Sequence, residues 1–244
     1  MIENLSLLEE KINVPLRTEL KKLGVTKIIS FVAEGWRGQV FKIKLGKKTA
    51  ALKIGSEERI LREGSVLKKA NEKKVGPKIY GVTKHCVAMQ FIYGKPYPKF
   101  IESATKKQAR TAIFEILKQA EKLDKSGIDH GELSRADKHI VVKTTIKNPN
   151  RTQTTRTTRH TSHPLPHTRV YFIDFEKGSF VRKAHNFGSV LNYLLLNPNS
   201  FAAKATREKL NIRLAEVKHY ARYSSWRKER SWSRSWARSI KANR

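Results

Sequence analysis

Cysteine is nearly missing from this sequence: Cys86 stands alone among 244 residues. No intrachain disulfide can form, which excludes a stapled secreted scaffold. Long apolar runs are missing as well. The longest lies around Val190–Leu196, far short of the ~20 residues that cross a bilayer, so no membrane span is expected. Met1-Ile2-Glu3-Asn4 has no basic stretch leading into an apolar one, so no signal peptide is read there. Acidic residues are scarce, 21 against 51 Lys and Arg, for a formal net charge of +30 and a pI of about 10.4. Apolar residues make up 39%, below the ~45–50% of ordinary globular domains but enough for a core at this length. The expectation is a cytoplasmic, reducing-compartment chain of one or two domains.

Charge of this size bears on partners rather than on fold. It suits polyanions, so RNA or a ribosomal particle is a candidate partner. Ordinary lysine solvation of the surface is the competing explanation.

Periodicity divides the chain. Residues 1–25 read as an N-terminal helical extension, with Leu5, Leu8, Ile12 and Leu16 at helical spacing and Pro15 interrupting them. Residues 26–94 read as a five-stranded antiparallel lobe with one helix. Strand-like runs at 28–33, 39–45 and 49–54 are punctuated by Gly35, Gly38 and Gly46. Ser56 is the expected N-cap of the helix, which Gly76-Pro77 ends. Runs at 78–82 and 85–92 complete the sheet. Residues 95–143 and 169–223 read as a small, mostly helical second lobe. Its clearest helix is 106–123, with Ala112, Ile113, Ile116, Ala120 and Leu123 as the buried stripe. Helices are also expected at 186–196 and 201–223. Residues 144–168, rich in Thr, Arg and His and without an acidic residue, read as a disordered insertion. Residues 224–244 form a basic tail holding Trp226, Trp232 and Trp236.

Several short patterns carry chemistry. Ala33-Glu34-Gly35-Trp36-Arg37-Gly38-Gln39-Val40 matches a glycine loop that lets backbone approach phosphates, with Val40 as an apolar lid. A tight hairpin uses glycine in the same way. Lys53 ends a strand at the distance from which a lysine can hold phosphates as a point charge. Glu63 lies on the apolar stripe of the next helix with Ile60 and Leu67, a costly place for a carboxylate unless it is paired. Lys53 is the obvious partner. Further on, His130-Gly131-Glu132-Leu133-Ser134-Arg135 opens a polar loop before the strand 140–142, and Ile173-Asp174-Phe175 ends a second strand. A loop carboxylate that receives a hydroxyl proton and a strand-end Asp that holds Mg²⁺ are the working parts of phosphoryl transfer.

Residues 26–143 and 169–197 resemble the protein-kinase-like superfamily, and within it the small archaeal kinases whose loop reads His-Gly-Glu-Leu-Ser-Arg. RIO kinases and the compact kinase of the KEOPS assembly are relatives. The resemblance implies a two-lobed α+β fold that uses ATP and Mg²⁺ to phosphorylate a Ser or Thr hydroxyl, or an ATPase serving RNA or ribosome assembly. It assigns phosphate anchoring to Lys53, its orientation to Glu63, the loop carboxylate to Glu132 and metal binding to Asp174. The glycine loop contributes Gly35, Gly38 and Val40, and Phe91 to Tyr93 fall at the hinge that receives adenine.

The departures are informative. Glu132 stands where Asp is usual, and the added methylene moves the carboxylate by ~1 Å, enough to cost ~10² in rate. The second metal ligand falls on Asp137 by count from Glu132 and on His139 by distance to the next strand; Asp137 is the better ligand for a hard cation. Glu176 occupies the place of the glycine in Asp-Phe-Gly, and no Ala-Pro-Glu follows. A small-molecule phosphotransferase and a non-catalytic, polyanion-binding pseudokinase are the rival readings. The protein substrate is not identified by sequence. His160, His163 and His167 lack Cys or acidic companions and are not read as a metal site.

Overall fold

The computed structural model describes residues 2–9, 16–35, 38–146 and 166–223. Short helices α1 (Ser6–Glu9) and α2 (Arg17–Lys22) precede strands β1 (Val25–Gly35), β2 (Gly38–Leu45) and β3 (Lys48–Gly55). Helix α3 (Glu57–Glu72) leads to β4 (Ile79–Val82) and β5 (Cys86–Gln90). The five strands form an antiparallel sheet in the order β1-β2-β3-β5-β4.

Strand alternation decides what each face of this sheet covers. Along β3, Ala50, Leu52 and Ile54 point to one face and are buried with Leu8, Leu16 and Leu20. Ala51 and Lys53 point to the other face, toward the cleft. The N-terminal segment thus packs on the outer face of the sheet, and Glu3 bridges Lys27 beside β1. Ser56 sits at the N-cap of α3, but its side chain accepts no hydrogen bond there, contrary to the capping expected from its identity.

A two-residue strand β6 (Lys95–Pro96) leads into α4 (Tyr97–Ser103) and α5 (Lys106–Lys125). Helix α5 starts with a capping box, Thr105 with Gln108, which contributes about 0.5–2 kcal/mol to helix stability. Its buried stripe is the expected one, extended by Ala109, Leu117 and Gln119. After a 3₁₀ turn at Leu133–Arg135 come β7 (Ile140–Ile146) and β8 (Pro166–Phe172), which form a small sheet with β6. The insertion expected to be structureless over 144–168 therefore has paired ends: Thr144 faces Thr168 and Thr145 faces His167. Its remaining residues, and the tail 224–244, lie outside the described residues.

Helix α6 (Asn186–Leu191) runs on as a π-helical turn at Asn192–Leu196. The helix expected over 201–223 is two, α7 (Phe201–Leu210) and α8 (Leu214–Tyr223). Asn211 breaks it with φ 57°, a left-handed cap that Asn tolerates better than most residues. The larger core runs from α3 through α4, α5 and β7–β8 to α6 and α7, so the second lobe is built around α5. Among the described residues no helix is long and apolar enough to cross a membrane.

Candidate active site

A cleft of about 670 Å³ opens between the five-stranded sheet and the second lobe. Its apolar part is lined by Val32, Val40, Ala51, Met89, Phe91 and Ile173, a set suited to a flat heterocycle. Its polar end holds Lys53, Glu63, Glu132, His139, Asp174 and Glu176. Gly35 and Gly38 lie at the rim as the last pair of the β1–β2 ladder, so the glycine pattern is in part a hairpin. Gly38 has a packing role of its own, since a Cβ there would come 2.6 Å from the carbonyl oxygen of Ile54.

Lys53 is the centre of the polar end. Its Nζ lies 2.7 Å from Glu63, 2.6 Å from Asp174 and 3.2 Å from Glu176. Burial disfavours the lysine charge, but Glu63 and then Asp174 outweigh it and hold the amine protonated, well above its ordinary range. Glu63 is 1% exposed, and burial raises its carboxyl despite the adjoining lysine. Asp174 goes the other way: burial pushes it up, yet the Lys53 charge and hydrogen bond bring it below the usual carboxylate range. Three carboxylates facing one ammonium leave two negative charges in excess, and Arg59, 3.7 Å from Glu176, offsets one of them. Net negative charge at the bottom of a cleft is the electrostatic condition for a divalent cation.

The loop ahead of the 3₁₀ turn is held by buried polar contacts. Asn186 accepts from the backbone N–H of His130 at 2.9 Å and donates to Asp124 and to the Ile128 carbonyl, both at 2.7 Å. Asp124 also accepts from the N–H groups of Asn186 and Phe187. The His130 ring packs 4.4 Å from Phe175. Burial, then the neighbouring His139, push it down to about 3, so it is neutral. Gly131, at φ 84°, turns the chain where a Cβ would strike the Lys177 carbonyl.

Glu132 then reaches the cleft, where Lys177 Nζ holds it at 2.6 Å. His139 stands between the two acids, 3.7 Å from Glu132 and 3.9 Å from Asp174. Asp174 adopts a left-handed backbone, φ 66°. That conformation costs an L-residue about 1–3 kcal/mol and is held where the surroundings over-determine it.

Several sequence expectations meet here: Lys53, Glu63, Glu132 and Asp174 converge, with Gly35, Gly38, Val40 and Phe91 around them. Two do not. Asp137, preferred for the second ligand, is not among the cleft residues and lies beside Tyr193, whose hydroxyl is raised by burial and by the Asp137 charge. His139 lines the cleft, because the 3₁₀ turn and the turn after it bring it back just ahead of β7. Tyr93 points away from the cleft, 53% exposed, under Lys42 at 4.8 Å. Glu176 enters the cluster unforeseen as a site residue, and Lys177, Arg59 and Asn186 carried no motif that would have marked them.

For a cation, the donors fit in two overlapping groups: Glu132, His139 and Asp174, and Glu63, Asp174 and Glu176, each with ligand atoms within 4.8 Å of one another. The all-carboxylate group matches a hard ion better than the one containing imidazole.

Two lobes, with a lysine–glutamate pair and a strand-end Asp across one cleft, give this chain a fold similar to that of solved kinase structures. Residues 32–137 match the family model described as the RIO domain. The Rio2 kinase from Chaetomium thermophilum, solved as an ADP/Mg²⁺-phosphoaspartate complex, has a similar fold, with a TM-score of 0.54 and 15% identity over 94% of this chain and 75% of that one. A further structure of Rio2 kinase from the same organism matches at a TM-score of 0.48 and 12% identity, covering 86% of this chain and 77% of that one. No curated protein sequence matches this chain significantly.

Proposed function

We propose that this chain is an ATP- and Mg²⁺-dependent phosphotransferase of the atypical protein kinase kind, acting on a Ser or Thr hydroxyl. One arrangement carries the reading: Lys53 is joined to Glu63 and Asp174 while Glu132 faces Asp174 across His139. ATP would supply the phosphoryl group, and a divalent cation held by Asp174, with Glu176 or His139 beside it, would offset the phosphate charge.

This chain's own residues do the rest. Lys53 exchanges a carboxylate for a phosphate oxygen and carries its charge to the nucleotide. Glu63, buried 2.7 Å from the amine, fixes the direction of Lys53. Glu132 orients the acceptor hydroxyl and receives its proton on a carboxylate oxygen. Lys177, on the same carboxylate, holds its direction. Phe91, Met89 and Val40 cover the apolar ring of the nucleotide.

The test is to incubate the protein with γ-labelled ATP and Mg²⁺, alone and with RNA or ribosomal fractions. Label in a phosphoserine or phosphothreonine supports the kinase reading. Label released only as inorganic phosphate makes the protein an ATPase with the same site. Absence of both transfer and hydrolysis overturns the assignment.

A further inference from the structure

A second recess of about 560 Å³ lies between α5 and β8, and it shares no lining residue with the Lys53 cleft. Its size is that of a small-ligand site. Among the described residues β8 is the edge strand of its sheet and pairs with β7, and its outer edge faces the recess. Gln119, 8% exposed on α5, donates its Nε2 to the Val170 carbonyl at 3.0 Å. That bond fixes the amide orientation and leaves Oε1 as an acceptor with no partner among the described residues. Thr168, 6% exposed and also lining the recess, has a hydroxyl with no partner among the described residues. Two polar atoms buried at one place without partners are unusual in a folded interior and call for a ligand or water.

The rim is cationic. Lys74 enters from the end of α3, and His167 and Arg169 from the exposed side of β8. Lys73, beside Lys74, accepts Lys122 of α5 on its carbonyl, which adds a further charge to this ridge. Glu115 is the one acid on the wall, and Lys118 lies 3.8 Å from it.

We propose that this recess takes one nucleotide of a single-stranded RNA. A nucleotide brings both chemistries the site lacks. Its exocyclic N–H or 2′-hydroxyl can donate to Gln119 Oε1 and pair with the Thr168 hydroxyl, while flanking phosphates meet Lys74 and Arg169. The +30 charge of the chain supplies the long-range attraction. An acidic peptide could meet the rim with its carboxylates and Gln119 Oε1 with a backbone N–H, so it is the competing occupant that the assay separates from RNA.

The assay is fluorescence anisotropy of a 5′-labelled 12-nucleotide single-stranded RNA with the full chain across a salt series, in excess ATP and Mg²⁺. Arg169→Ala and Lys74→Gln should each weaken binding and lower the slope of log affinity against log salt by ~0.7, the value for one phosphate contact on a single strand. Thr168→Val and Gln119→Met should weaken it by roughly fivefold each, the worth of one hydrogen bond, with the slope unchanged. If Gln119→Met loses its circular-dichroism signature, Thr168→Val and Arg169→Ala decide the matter. Wild-type affinity in the Thr168 and Arg169 variants overturns the proposal and sends RNA elsewhere. So does a labelled oligoglutamate that binds more tightly than the RNA and responds to the same substitutions.

Discussion

Replacing Asn186 with Ala tests how the catalytic-loop segment is held. The change deletes three buried hydrogen bonds: to the Asp124 carboxylate, to the Ile128 carbonyl and from the His130 N–H. One involves a charge and two are neutral, so the loss is about 2.5–6 kcal/mol before relaxation. Asn186 is 2% exposed, which leaves little room for water to replace the amide. Against a total stability of ~5–15 kcal/mol, this is a large fraction. Urea unfolding should show a midpoint lowered with an unchanged m-value. Because His130 lies two residues before Glu132, phosphoryl transfer should fall further than ATP affinity. Asn186→Asp sharpens the argument, since it sets a second carboxylate 2.7 Å from Asp124. Two like charges at that distance raise a folded-state carboxyl above its unfolded value. The variant's stability is then present below the unfolded pKa and lost as pH rises through the folded one, so it should recover as pH falls from neutrality. A loss below ~1 kcal/mol for Asn186→Ala would refute the claim that this network anchors the loop.

Asp174→Ala should abolish the Mg²⁺-dependent part of the thermal stabilisation by ATP, because Asp174 belongs to both candidate ligand groups; equal shifts in both proteins would exclude it. Glu132→Gln should eliminate transfer and spare nucleotide binding, while Asp137→Asn should leave both intact, since Asp137 does not line the cleft. Activity that survives the first change and is lost in the second would show that the loop register is wrong. Cys86 is fully buried, and burial pushes its thiol up to about 12. Iodoacetamide at pH 8 should therefore label it only after unfolding, and rapid labelling of the native protein would contradict the packing of the outer sheet face.

The sequence by itself determined much of this protein. Alternation along 49–54 and the helical stripe through Ile60, Glu63 and Leu67 are local periodicities, and they set which side of β3 and of α3 is buried. Lys53 and Glu63 were legible as a pair because a carboxylate on an apolar stripe needs a nearby cation. Asp174 was legible because an apolar strand ends on it. Other features depend on contacts that no local pattern encodes. Counting from Glu132 favours Asp137, but the path of the chain through the 3₁₀ turn sets His139, not Asp137, beside Asp174. Asn186 looks like an ordinary residue at a helix start until α6 is set against the loop 56 positions earlier. Glu176 and Lys177 are two charges in a basic chain until folding brings them to Lys53 and Glu132. The recess between α5 and β8 is lined by residues far apart in sequence, and Gln119 and Val170, 51 residues apart, share a hydrogen bond in its wall. Periodicity records which face of an element avoids water; which faces meet, and so which buried charges and amides find partners, is settled by the packing of the whole chain.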